Sequence, residues 1–199
     1  MFFFAAVTAA LLAMSLASSN AHYDPLSRVF HWLTAIAVVV AFTLGPEHLG
    51  SLIRSGVDPA TRWDIVWHES LGLLVFVLTL LRLVWVAVRP AAPRFDMSPW
   101  QHRAARLVQA ALWLLMLLLP ITAVLALGSK GHPLTLLGGV RLDPSAIVNG
   151  SLATEVRWGK LHGLLGDAIL WLAGAHAAAA IFHHVVLKDG VLKSMLPPR

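Results

Sequence analysis

The 199-residue chain contains no cysteine. That excludes iron–sulfur clusters, thiolate ligation of a metal, covalent cofactor attachment through a CxxCH motif, and structural disulfides. Charge is also scarce: only 13% of residues are Asp, Glu, Lys or Arg, whereas soluble domains usually carry about 25%. There is one tyrosine against ten histidines. Any redox cofactor or metal held by this chain must therefore be held by imidazole.

What the chain has in excess is apolar length. It is 58% hydrophobic, with a mean hydropathy of +0.74. Four stretches are long enough to cross a hydrocarbon core of about 30 Å: Val29–Leu44, Ile65–Val88, Ala104–Leu127 and Leu161–Leu187. The first is short, and His31 and Trp32 would extend it into the interface. The expected fold class is an all-α transmembrane four-helix bundle over residues 23–199. Residues 1–22 form an extra apolar N-terminal extension. It reads as an added helix, a signal-like segment without the usual basic start, or sequence upstream of the functional unit.

Three local signals bound the helices. Asp58-Pro59-Ala60 has the form of a cap on the approach to the second span. Ser98 and Pro99 suit an N-cap and first helical position. Pro120, inside the third span, is expected to kink it. Gly45–Asp64 reads as irregular with short helical turns, and Gly128–Gly150 as the other long external loop.

Lys and Arg counted by loop give nine on the side of the termini and middle loop, against six on the other. By the positive-inside rule this places both ends of the four-helix unit in the cytoplasm. No soluble domain is present to offer a basic face to nucleic acid. The expected surroundings are membrane lipid.

His162 and His176 lie fourteen residues apart in the last apolar stretch. Fourteen residues are nearly four helical turns, so both rings emerge on one face, about 21 Å apart along the axis. Hydrocarbon penalises an ionisable side chain, so His176, far from either end of its span, is a functional candidate by itself. Two on one face point to two stacked cofactors, with His31 and His68 available on other helices. In an up-and-down bundle, His68 and His162 both begin near the outer surface, and His31 and His176 lie near the inner one. The depth match pairs His31 with His176 and His68 with His162. Bis-imidazole ligation of this kind suits low-spin haem b engaged in electron transfer.

His183 follows His176 by seven residues on nearly the same face but about 10 Å too deep to match His31. It and His184 are assigned to the interface. His102 reads as cytoplasmic surface, and His22, His48 and His132 as loop residues. Gly72, Gly163, Gly166, Gly174 and Ala177 are small enough to admit a flat macrocycle, or to let helices pack closely. Arg28, Arg82, Arg157 and Lys160 could pair haem propionates or serve only topology.

Taken together, several stretches resemble the bacterial cytochrome b561 family, the four-helix di-haem type. They are Arg28-Val29-Phe30-His31-Trp32-Leu33, Trp67-His68-Glu69-Ser70-Leu71-Gly72, Leu119-Pro120-Ile121-Thr122 and Gly128-Ser129-Lys130-Gly131-His132-Pro133. Leu161-His162-Gly163-Leu164-Leu165-Gly166, Ala175-His176-Ala177-Ala178-Ala179-Ala180, Phe182-His183-His184 and Lys188-Asp189-Gly190 complete the set. The resemblance covers about Tyr23 to Arg199. Carried over residue by residue, it implies two haems b, with His31 and His176 on the inner iron and His68 and His162 on the outer. Family members often have a histidine early in the third span, where this chain has Gln109, a position not expected to ligate.

The resemblance also implies a bacterial inner-membrane electron carrier between a donor and the quinone pool. Some members are implicated in oxidising superoxide and passing the electron to ubiquinone. On that view Arg157 and Lys160, beside His162, would draw a small anion towards the outer haem. One alternative is a haem-carrying anchor subunit that relays electrons for a separate dehydrogenase or hydrogenase, meeting a periplasmic redox partner. A histidine-lined metal transporter is a third class; it should carry acidic residues in its spans, and only Glu69 and Asp167 qualify.

Overall fold

The computed structural model describes residues 22–46, 51–52, 55–89, 92–146, 148 and 156–197. Apart from His22, the N-terminal extension lies outside the described residues, as does His48.

Helix α1 runs Pro25–Thr43, starting four residues before the apolar run suggests. The reason is local. Asp24 accepts from the Ser27 amide at 2.8 Å and the Ser27 hydroxyl at 2.6 Å, and Pro25 supplies a preformed first helical φ. His31 therefore sits almost two turns inside the helix rather than at its mouth. A short 3-10 turn, Pro59–Thr61, is capped by Asp58, which accepts from the Ala60 amide at 3.0 Å. It leads into α2, Trp63–Val88.

Helix α3 spans Pro99–Gly128. At its start the Gln101 side chain accepts from both the Ser98 amide and hydroxyl at 2.8 Å. Pro120 lies within the helix without ending it. Helix α4 covers Trp158–Phe182 and continues as one π-helical turn, His183–Leu187. Lys188 then stops it in the left-handed region at φ 54°.

The long loop between α3 and α4 contains a small hairpin. Strand β1 (Leu134–Thr135) pairs antiparallel with β2 (Arg141–Leu142), with Thr135 opposite Arg141. Gly138 and Gly139 take φ of 85° and 79° at its turn, a region that only glycine occupies freely.

The helices go up and down. Tyr23 donates its amide to the Ser194 carbonyl at 3.0 Å, so the start of α1 and the chain end meet at what we term the terminal end. The hairpin marks the opposite, loop end. Helix α1 packs chiefly on α2 and α3 on α4, α2 joins the two pairs, and α1 touches α4 only sparsely. The core sits at mid-height, where Ala37, Val75, Met116 and Ile169 contribute one residue from each helix. Outward faces are apolar: Val84 is 66% exposed, Leu107 71% and Trp171 80%. Such surfaces suit lipid, not water. All four helices are long and apolar enough to span a membrane, as the hydropathy of the sequence implies.

Paired histidines at two depths and the family they belong to

On α4 the residues His162, Ile169 and His176 recur every seven positions, and the central one is buried in the core layer. Seven residues fall 20° short of two full turns, so all three project to nearly one side. This face brings a histidine to each end of the bundle.

At the loop end, the His68 and His162 rings lie 6.0 Å apart between centroids, with planes at 84°. His68 Nδ1 is 2.6 Å from the Ala41 carbonyl oxygen. The last carbonyls of a helix lack intrahelical partners. Here the Leu44 amide satisfies Val40 and the Gly45 amide satisfies Phe42, and His68 serves Ala41. His162 Nδ1 similarly approaches the Leu119 carbonyl at 3.0 Å, with the Thr122 hydroxyl oxygen at 3.3 Å. A carbonyl oxygen only accepts, so in both rings Nδ1 carries the proton. Nε2 is left with its lone pair, which is how a hydrogen bond at the other ring nitrogen orients a ligating imidazole.

A clasp covers this end. Glu69, next to His68 and buried, accepts from the Thr135 amide at 2.6 Å. The Ser70 hydroxyl accepts from the Leu137 amide at 2.9 Å. Beyond the clasp, Arg141 pairs with Asp58 at 3.2 Å on the wall of a cleft of about 310 Å³ that His132 also lines. The Asp58 carboxyl is held below the usual carboxylate range, first by the Ala60 amide and then, against some burial, by Arg141. Neither hairpin nor clasp is visible in the sequence pattern; Glu69 stood out there only as an acid within a span.

At the terminal end, the His31 and His176 centroids are 6.4 Å apart, with planes at 66°. The Trp32 ring lies 5.3 Å from that of His31. The chain end folds back over this region: Trp32 Nε1 donates to the Met195 carbonyl at 2.9 Å, and Arg28 donates to the Leu196 carbonyl at 2.8 Å. His183 is turned to Asp189, with which it pairs, and does not join the His31–His176 pair. Arg82, on α2, stacks over the Trp113 ring at 5.0 Å. Arg157 and Lys160 are exposed at the start of α4. His102 is half-buried near the start of α3, within that helix.

Among the described residues no three His, Asp or Glu side chains converge as a metal cage, so each location offers two donors. The glycines separate two readings of the small residues. A Cβ built on Gly72, Gly163, Gly166 or Gly174 would meet nothing within 4 Å. These glycines border open space and do not mediate close contact between helices.

The fold and its histidines thus define a multi-pass helical membrane protein with two-donor imidazole pairs at two depths. The family model for prokaryotic cytochrome b561 matches residues 22–198, and the chain belongs to that family. It is 30% identical to cytochrome b561 homolog 2 of Escherichia coli (strain K12), over 92% of this chain and 95% of that protein. It is 33% identical to cytochrome b562 of Cereibacter sphaeroides, over 89% and 96%. With the probable superoxide oxidase CybB of Yersinia pestis it shares 28% identity, over 89% and 97%. Membership makes it a bacterial membrane electron-transfer protein of a family that carries b-type haem.

Proposed function

We propose that the chain holds two haems b, one between His68 and His162 and one between His31 and His176, and conducts electrons across the membrane. The observation that carries this reading is the ring spacing. Two iron–nitrogen bonds of about 2 Å, plus about 1.1 Å from each nitrogen to its ring centre, put the centroids about 6.2 Å apart. The separations of 6.0 and 6.4 Å fit that sum. Gly72 and Gly166, half-buried and with nothing within 4 Å of an added Cβ, offer room for flat macrocycles.

When bound between these imidazoles, each haem would supply a one-electron iron couple. The protein supplies the rest. Ala41 and Leu119 fix the loop-end imidazoles, Glu69 and Ser70 hold the hairpin over them, and the core layer of Ala37, Val75, Met116 and Ile169 keeps water from the space between the sites. The Lys and Arg distribution favours both ends of the four-helix unit in the cytoplasm, so the loop-end site faces the periplasm. The partner on the membrane side is the quinone pool.

The donor we favour is superoxide, in keeping with the name of the Yersinia relative. Arg157, just before α4, and Lys160, on the same helix as His162, are exposed, and Lys130 Nζ lies close to Gly159, giving the loop end a local positive field.

Pyridine haemochrome analysis of the purified protein should give two haems b per chain. His68→Ala and His162→Ala should each lose the same haem, and His31→Ala and His176→Ala the other; His183→Ala should retain both. A single haem per chain at full occupancy refutes the reading. Changing Arg157 and Lys160 together to Gln should slow superoxide consumption at low salt and have little effect at high salt; salt-independent, unchanged kinetics would remove superoxide steering.

A further inference from the structure

Helix α2 repeats the seven-residue interval of α4: His68, Val75 and Arg82 project to nearly one side. His68 belongs to the loop-end pair and Val75 to the core layer. Arg82 therefore stands about 21 Å along the axis from His68, the same rise that separates His162 from His176. It occupies on α2 the level of the second pair, where α2 contributes no histidine.

The surroundings of this guanidinium are unusual. It is half-buried, within an apolar span, six residues before the end of α2. One face is covered by Trp113 at 5.0 Å. Ion pairs among the described residues are Arg62–Asp64, Arg141–Asp58 and His183–Asp189, none involving Arg82. Asp24, an acid at this end of the bundle, is already engaged, whereas Arg28 Nε and Thr34 Oγ1 are buried without a hydrogen-bond partner among the described residues. Asp24 accepts from Ser27 and Trp85, Arg89 lies over the Tyr23 ring, and Arg28 donates to the Leu196 carbonyl. A guanidinium at this depth is expensive without an anion, and its fork matches a carboxylate. The edge of a haem b carries two carboxylates.

We infer that Arg82 pairs with the carboxylate edge of the haem between His31 and His176 and makes that haem the higher-potential of the two. Arg82 is a positioning residue. It neutralises negative charge beside the iron and so favours the ferrous form. This rests on the two-haem reading above. The cations nearest the other site by sequence, Arg157 and Lys160, are exposed, where water and salt screen them. Electrons on the chain accordingly settle at the terminal end.

The test is a potentiometric titration of the purified di-haem protein, followed at the α-band, with His176→Ala identifying the terminal-end component as the one it removes. In the unmodified protein that component should have the higher midpoint. Arg82→Gln should shift its ferric/ferrous equilibrium towards ferric by about tenfold or more, which is 59 mV for a one-electron couple. The loop-end component, about 21 Å further along the axis, should shift by clearly less, because the interaction falls with distance. Arg82→Lys, which keeps the charge but not the fork, should fall between. An unchanged terminal-end midpoint in Arg82→Gln, an equal shift of both components, or a reversed order in the unmodified protein overturns the inference. If Arg82→Gln does not retain haem, the unmodified order and Arg82→Lys decide. Fewer than two haems in the unmodified protein counts against the two-haem reading, not against the role of Arg82.

Discussion

Replacing Glu69 with leucine removes the acceptor that holds the hairpin to α2 and leaves the Thr135 amide facing a hydrocarbon side chain. Thr135 is 5% exposed and Glu69 8%, so water is not at hand to substitute. A buried donor deprived of its partner costs about 1–3 kcal/mol. At about 1.4 kcal/mol per tenfold, hairpin opening should rise by roughly 5- to 150-fold. The second contact, Ser70 to the Leu137 amide at 2.9 Å, is untouched, so the hairpin should open more often yet remain paired most of the time. Glu69→Gln retains a carbonyl acceptor and should produce a clearly smaller change. The assay is amide hydrogen exchange at Thr135 and Leu137 on the haem-loaded protein in nanodiscs, with Ser70→Ala completing a double-mutant cycle. Both amides should exchange faster in Glu69→Leu, with Thr135 affected more. Protection at Thr135 equal to that of the unmodified protein would refute the clasp, as would Glu69→Gln matching Glu69→Leu.

Three further outcomes follow from named contacts. Gly166→Leu adds a side chain where nothing lies within 4 Å, so the helices should assemble normally while the loop-end haem is lost; two haems per chain in this variant would show that the space is not the macrocycle's. Asp24→Ala should destabilise the fold by about 1 kcal/mol through loss of the α1 cap, measured as a shift in thermal unfolding. Burial alone would raise the Asp24 carboxyl, but the bonds from Ser27 and Trp85 and the charge of Arg89 outweigh it and hold it below the ordinary value of 3.8; the stabilisation is thus present above that value and lost as pH falls through the lower folded one, and a Asp24→Ala difference that persists unchanged well below that range would contradict the assignment. Gly128→Ala puts a Cβ 2.7 Å from a Val148 methyl and 3.3 Å from the Pro144 carbonyl, and the overpacking should cost about 1–3 kcal/mol in the same assay, with unchanged stability counting against this contact.

The sequence by itself determined the number of spans, their order and the relative heights of His31, His68, His162 and His176. Hydrocarbon thickness and helical rise are fixed quantities, so the positions of His31, His68, His162 and His176 along apolar runs translate directly into height. Helix ends were less legible. Asp24 moved the start of α1 to Pro25 because a cap depends on one side chain reaching two amides, not on hydropathy. What only the tertiary structure decided is everything that needs partners from distant parts of the chain. The Ala41 and Leu119 carbonyls that orient two imidazoles are backbone groups, and backbone leaves no signature in residue identity. The Thr135 amide on Glu69 joins positions 66 residues apart. In the sequence Arg82 reads first as a topology charge; the absence of an acidic partner among the described residues, its stacking on Trp113 and its height on α2, level with the second histidine pair, are what point to a carboxylate. Periodicity sets how high along its helix a side chain stands, but which neighbour it meets there depends on how four helices pack around a shared axis.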